Sequence, residues 1–135
     1  MPSATDTGYT LSGTTSLGFD EAVARVRGTL AEEGFGVLTE IDVQATLRAK
    51  LGEETAPYLI LGACNPPYAH RALQAEPELG TLLPCNVVVY VRDAVTHIAA
   101  IDAERMLSIV GREELAPVAT QVREKLGAVV ERATA

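Results

Sequence analysis

Two short blocks hold the side chains best suited to chemistry: Gly62-Ala63-Cys64-Asn65-Pro66-Pro67-Tyr68-Ala69-His70 and Leu82-Leu83-Pro84-Cys85-Asn86. Cys64 closes an apolar run and sits just before an Asn-Pro-Pro helix start. A helix N-terminus offers free N–H groups and the positive end of the dipole, which favours a thiolate. Pro66 and Pro67 delete two of those donors, so the position suits a mild thiolate activator better than a phosphate cradle. His70 follows in the second turn of the same helix. Cys64 and His70 could act as nucleophile and base, or as soft metal ligands together with Cys85. Cys64, Cys85 and His70 would make an incomplete zinc set, and the chain has no CxxC or HExxH. The candidate ligand-binding residues are Cys64, Asn65, Pro66, Tyr68, His70, Cys85 and Asn86. The competing account makes both cysteines small buried hydrophobes and His70 an ordinary surface side chain.

Whether the blocks meet depends on the elements that carry them. Residues 57–64 (PYLILGAC) and 85–91 are apolar runs of strand length, with Tyr58 and Ile60 on one face and Leu59 and Leu61 on the other. Cys85 shares a face with Val87 and Val89, and Asn86 shares the other with Val88 and Tyr90. If the two strands are parallel neighbours, the cysteines lie at opposite edges, roughly 20 Å apart at ~3.3 Å per residue. If they are antiparallel neighbours, both cysteines lie at one edge.

The remaining elements follow from periodicity and punctuation. Residues 8–16 alternate loosely and form a first strand, with Tyr9, Leu11 and Thr15 on one face. Phe19, Val23, Val26 and Leu30 form a helical stripe that Gly34 ends as a C′ residue. Residues 36–41 are a short strand. Asp42 then caps a helix with Val43, Leu47 and Leu51 inward and Gly52 at its end, although alternation also permits a continued strand here. Asn65 caps the next helix, Glu76-Pro77 stops it, and residues 78–83 are a loop. Arg92-Asp93 turns the chain into a hairpin strand over residues 95–101, where His97 is structural or exposed. Asp102 caps a short helix bearing Met106, Leu107 and Val110, closed by Gly111. A last helix begins near Glu113 or Glu114 and carries Leu115, Val118, Val122, Leu126 and Val129. Glu40 and Asp42 share a strand face, but a solvated face plus a helix cap accounts for them better than a catalytic pair.

These elements predict one α+β domain over residues 8–133 behind a flexible tail, residues 1–7. The sheet is single, twisted, mainly antiparallel and about five-stranded, with helices mainly on one face. The 135 residues suit one core. Apolar residues make up 47% of the chain and charged residues 21%, which excludes disorder and low complexity. Acidic residues outnumber basic ones 18 to 11, for a net charge of −7, which argues against a nucleic-acid binder. No segment is an apolar membrane span or a signal peptide, so a soluble, cytoplasmic protein with reduced thiols is expected. Central strands that are apolar on both faces leave one sheet face to cover; a symmetric homodimer is expected to cover it, and the competing account gives that role to the small helices.

Three segments, Gly34-Phe35-Gly36-Val37-Leu38-Thr39-Glu40-Ile41-Asp42-Val43, Tyr58-Leu59-Ile60-Leu61-Gly62-Ala63-Cys64-Asn65-Pro66 and Leu83-Pro84-Cys85-Asn86-Val87, resemble the prokaryotic family known as domain of unknown function 302. The likeness runs over nearly the whole chain, and the CNP and LLPCNV blocks in tandem carry it. It implies an α+β fold of TATA-binding-protein-like architecture and a dimer, with Asp42, Cys64, Asn65, Pro66, Pro84 and Cys85 at the family's characteristic positions. Val91 and Ala103 stand where the family usually has an acid and a proline. Fold likeness implies nothing about DNA binding. The functional expectation is a small homodimeric module whose thiol-containing pocket binds a small ligand, a soft metal or a sulfur species. The alternative is a non-catalytic dimerising module in which both cysteines only pack. An enzyme ranks third, because no complete triad, phosphate loop or full metal set is present. No cofactor is specified.

Overall fold

The computed structural model describes residues 7–135. Of the expected tail, residues 1–6 lie outside the described residues. Thr7 Oγ1 accepts from the Thr10 N–H at 3.0 Å.

The elements run β1 (Thr10–Thr15), α1 (Phe19–Glu32), β2 (Gly36–Asp42), α2 (Val43–Leu51), β3 (Tyr58–Cys64) and α3 (Pro66–Ala75). Then follow β4 (Cys85–Arg92), β5 (Val95–Ile101), α4 (Ala103–Ser108) and α5 (Ala116–Thr134). Residues expected as a loop after α3 form a 3₁₀ segment, Pro77–Leu82, started by the Glu76 carboxylate accepting from the Glu78 N–H. A second 3₁₀ turn, Glu113–Leu115, leads into α5 and leaves Pro117 in the helix's first turn, where no N–H is needed.

The five strands form one open sheet in the order β1-β5-β4-β3-β2, and every pair is antiparallel. The register sorts the side chains. Leu59, Leu61 and Ala63 of β3 pair with Val89, Val87 and Cys85 of β4, and Ile98 and Ala100 of β5 extend the same face. All eight are buried. α1 and α5 cover this face with Ala22, Val26 and Leu30 from the first and Val118, Val122, Leu126 and Val129 from the second. The other face carries Tyr58, Ile60, Val88, Tyr90, His97 and Ala99, none of them fully buried. Helices on one side of an antiparallel sheet are the α+β arrangement expected from the sequence.

Local chemistry explains most boundaries and several shifts. In α1 the buried stripe is Ala22, Val26, Thr29 and Leu30, whereas Phe19 and Val23 are only half-buried. Thr29 tolerates burial because its hydroxyl donates to the Val26 carbonyl. Asp42 caps α2 by accepting from the Ala45 N–H at 2.9 Å, and Gly52 ends it in the left-handed region. α2 buries no residue, and Leu51, expected inward, is 69% exposed. The chain turns away at Gly52 before Leu51 meets a partner. Tyr9 also departs from expectation: it precedes β1, so strand alternation does not hold it on the face of Leu11, and it is exposed. The β4–β5 turn lies one residue later than expected, at Asp93 and Ala94, both with positive φ, the two-residue form that suits a twisted hairpin.

Candidate functional site

Antiparallel pairing of β3 with β4 brings the two blocks to the same end of the sheet, with Ala63 opposite Cys85. Cys64 lies one residue farther on, where strand alternation alone would send it to the other face. There β3 ends and the chain turns into α3. As a result Cys64 and Cys85 both line one cavity of ≈ 280 Å³. The sheet contributes Ala63, Cys64 and Cys85, with Pro84 just before β4; α3 contributes Tyr68, Ala69, Ala72 and Leu73, and α5 contributes Val118 and Val122. Leu79 and Gly80 of the 3₁₀ segment, Leu83, and Met106 and Leu107 of α4 complete most of the wall. Leu38 and Leu73, 66% and 38% exposed, mark the side from which solvent reaches it.

The wall is apolar apart from two thiols, the Tyr68 side chain and the Asn65 amide. No Asp, Glu, Lys, Arg or His belongs to it. Burial pushes the Cys85 thiol up from an ordinary 9.0 to about 11, and the nearby Cys64 sulfur adds to the rise. The Tyr68 hydroxyl hydrogen-bonds to Gln121 Oε1, and the Arg71 guanidinium sits 5.0 Å from the ring centroid.

Asn65 occupies the expected cap position of α3 but makes no capping bond. Pro67 has no N–H to offer, and the amide is oriented by a different partner. Its Nδ2 donates to the Glu33 carbonyl at 3.2 Å, satisfying an end carbonyl of α1. Gly34, at φ +87°, makes room for this tie, since a Cβ there would stand 3.2 Å from Asn65 Nδ2.

Other candidates fall outside the cavity. His70 is exposed on α3 and does not line it, so the Cys64–His70 pair is not assembled: the helix turn that holds His70 faces solvent. Among the described residues no three His, Cys, Asp or Glu side chains gather as a metal-binding group, so Cys64, Cys85 and His70 do not form the expected trio. Pro66 is exposed at the helix start. Asn86 lies opposite Gly62, exposed on the other sheet face. There it borders a second hollow of ≈ 350 Å³ with Tyr9, Tyr58, Tyr90 and His97.

That second hollow holds a feature absent from the expectations. Tyr58, Tyr90 and His97 stack across three strands, with centroids 5.2 Å apart for Tyr58–Tyr90 and 4.8 Å for Tyr90–His97. The Tyr58 hydroxyl titrates above its ordinary value, chiefly through burial and then through Tyr90 and Tyr9. The signal was in the spacing. Once Asp93-Ala94 is taken as the turn, Tyr90 and His97 must be cross-strand partners.

Among the described residues no helix is long and apolar enough to cross a membrane. The family model for DUF302, a domain of unknown function, matches residues 11–133. The chain is similar to a solved structure described as the crystal structure of an uncharacterised conserved protein DUF302 from Bacillus stearothermophilus. The TM-score is 0.86 at 30% identity, covering 92% of this chain and 97% of that one. No curated protein matches the sequence. A match over nearly the whole length, in sequence and in fold, means that this chain belongs to the DUF302 family.

Proposed function

We propose that the protein is a small-molecule binding module whose site is the apolar cavity beneath α3, with Cys64 and Cys85 in its wall. The observation that carries this is the cavity's lining: apolar side chains, two thiols, one tyrosine and one amide, with no charged group. Pockets for small ligands have this character, largely apolar with a few placed polar atoms. Binding is favoured over catalysis because no His, Asp, Glu or Lys lines the cavity to serve as a general base.

The test is thermal unfolding with n-butylbenzene. A ligand at ten times its Kd stabilises the folded state by ~1.4 kcal/mol, which raises Tm by a few degrees in a domain of this size. Ala72 is 3% exposed and lines the cavity, so Ala72→Leu should narrow the space and reduce the rise. The proposal fails if n-butylbenzene leaves Tm unchanged, or raises it equally in a cooperatively folding Ala72→Leu protein.

A second proposal concerns assembly. The sheet face opposite α1 and α5 presents Ile60, Val88, the stacked rings and the exposed Tyr9 and Ile41. We infer that two copies cover these faces mutually in a symmetric dimer. Sedimentation equilibrium should give twice 14.3 kDa for the protein and 14.3 kDa for Val88→Lys. A wild-type monomer at micromolar concentration would refute the dimer.

A further inference from the structure

We infer that the ligand of this cavity is an uncharged molecule with an apolar body and a hydrogen-bond donor at one end, received by Asn65 Oδ1. The inference rests on the binding proposal above and names the class of molecule bound.

The two amide atoms of Asn65 have different fates. Nδ2 donates to the Glu33 carbonyl. That partner can only accept, so it fixes which amide atom is nitrogen and which is oxygen. Oδ1 then accepts no hydrogen bond from any described residue. Asn65 is only 8% exposed, yet no described buried side-chain oxygen or nitrogen is sealed without a partner. Oδ1 is therefore not sealed off, and Asn65 is one of the residues that line the cavity.

The other polar groups of the wall do not compete. The Tyr68 hydroxyl spends its proton on Gln121 Oε1, in a solvent-exposed pair. The thiols of Cys64 and Cys85 are weak hydrogen-bonding partners. With no charged side chain in the wall, an anion or cation entering the cavity would lose its hydration without compensation. A carboxylate would also meet the negative end of the Asn65 carbonyl. An alcohol, a thiol or an N–H group satisfies Oδ1 and leaves the apolar remainder against Ala72, Leu79, Leu83 and Met106.

The experiment compares 1-octanol with 1-methoxyheptane, which have equal numbers of heavy atoms and differ by the donor. Kd is read for each by isothermal calorimetry on the full chain, with n-butylbenzene alongside. The alcohol should bind about tenfold tighter than the ether, the worth of one net hydrogen bond. Asn65→Ala, checked for folding by circular dichroism, should lose that preference while still binding n-butylbenzene. Equal affinities, or a tighter ether, overturn the inference while n-butylbenzene binding leaves the cavity proposal standing. Binding of n-butylbenzene without either nine-heavy-atom ligand overturns it too. If n-butylbenzene also fails to bind, the cavity proposal falls and this inference falls with it.

Discussion

Cys85 should make stability fall at alkaline pH in a way that its removal abolishes. The folded protein holds this thiol at about 11 against an ordinary 9.0, because the side chain is buried and the thiolate is poorly solvated there. Below about pH 9 both folded and unfolded chains keep the proton, and the raised value costs nothing. Above it the unfolded chain ionises first, so stability drops as pH climbs towards the folded value. At pH 11 the unfolded thiol is almost fully ionised and the folded one about half, a loss of about 2 kcal/mol. The assay is urea unfolding of wild type and Cys85→Ala from pH 7 to pH 11. Tyrosines and lysines titrate in both, so the difference between the two curves isolates Cys85. Cys85→Ala should be less stable at neutral pH by a constant packing term, and the gap should narrow by about 2 kcal/mol towards pH 11. Because burial is the larger cause and Cys64 the smaller, Cys64→Ala should leave most of this behaviour in place. Parallel curves for wild type and Cys85→Ala would refute the buried, protonated assignment.

Three further perturbations test the framework around the site. Asp102 accepts from the Glu104 and Arg105 N–H groups and pairs with Arg123 at 3.0 Å, so Asp102→Ala should cost about 2 kcal/mol in urea unfolding, while Asp102→Asn recovers part through the cap. A Cβ on Gly62 would stand 2.1 Å from Thr39 Oγ1 and 2.8 Å from Pro84 Cγ, so Gly62→Ala should lower Tm sharply, and Thr39→Ala in the same chain should restore part of it. Tyr90 stacks between Tyr58 and His97, so Tyr90→Ala should weaken the near-ultraviolet circular dichroism and cost about 1–2 kcal/mol, whereas an unchanged spectrum would contradict the stack.

The fold was largely legible because its signals are local. Gly34, Gly52, Asp42 and Asp102 mark helix ends through chemistry confined to a few residues, and each performs its expected role. The stripe of α5 was readable for the same reason, since Val118, Val122, Leu126 and Val129 are all buried, as is Leu115 in the turn before it. Long-range facts were hidden. Asn65 has the composition and position of a cap, yet its partner is the Glu33 carbonyl, 32 residues away. The cavity also needs Val118 and Val122 from α5 beside Cys64 and Cys85, and no spacing rule links those segments. Leu51 and Tyr9 miss their expected faces because periodicity describes an element's interior and fails at its ends.

The strand order sets a schedule for synthesis. β1 is made first, but its sheet partner is β5, and β2, the next strand made, ends at the opposite edge. During vectorial synthesis β2, β3 and β4 can pair as they emerge, while residues 10–15 have no strand to join until residues 95–101 follow. The cover of β1 comes later still, because α5 packs against it and follows β5 in the chain. A ribosome-bound chain stalled before β5 should therefore expose its first strand to protease, and extension through Thr134 should close it.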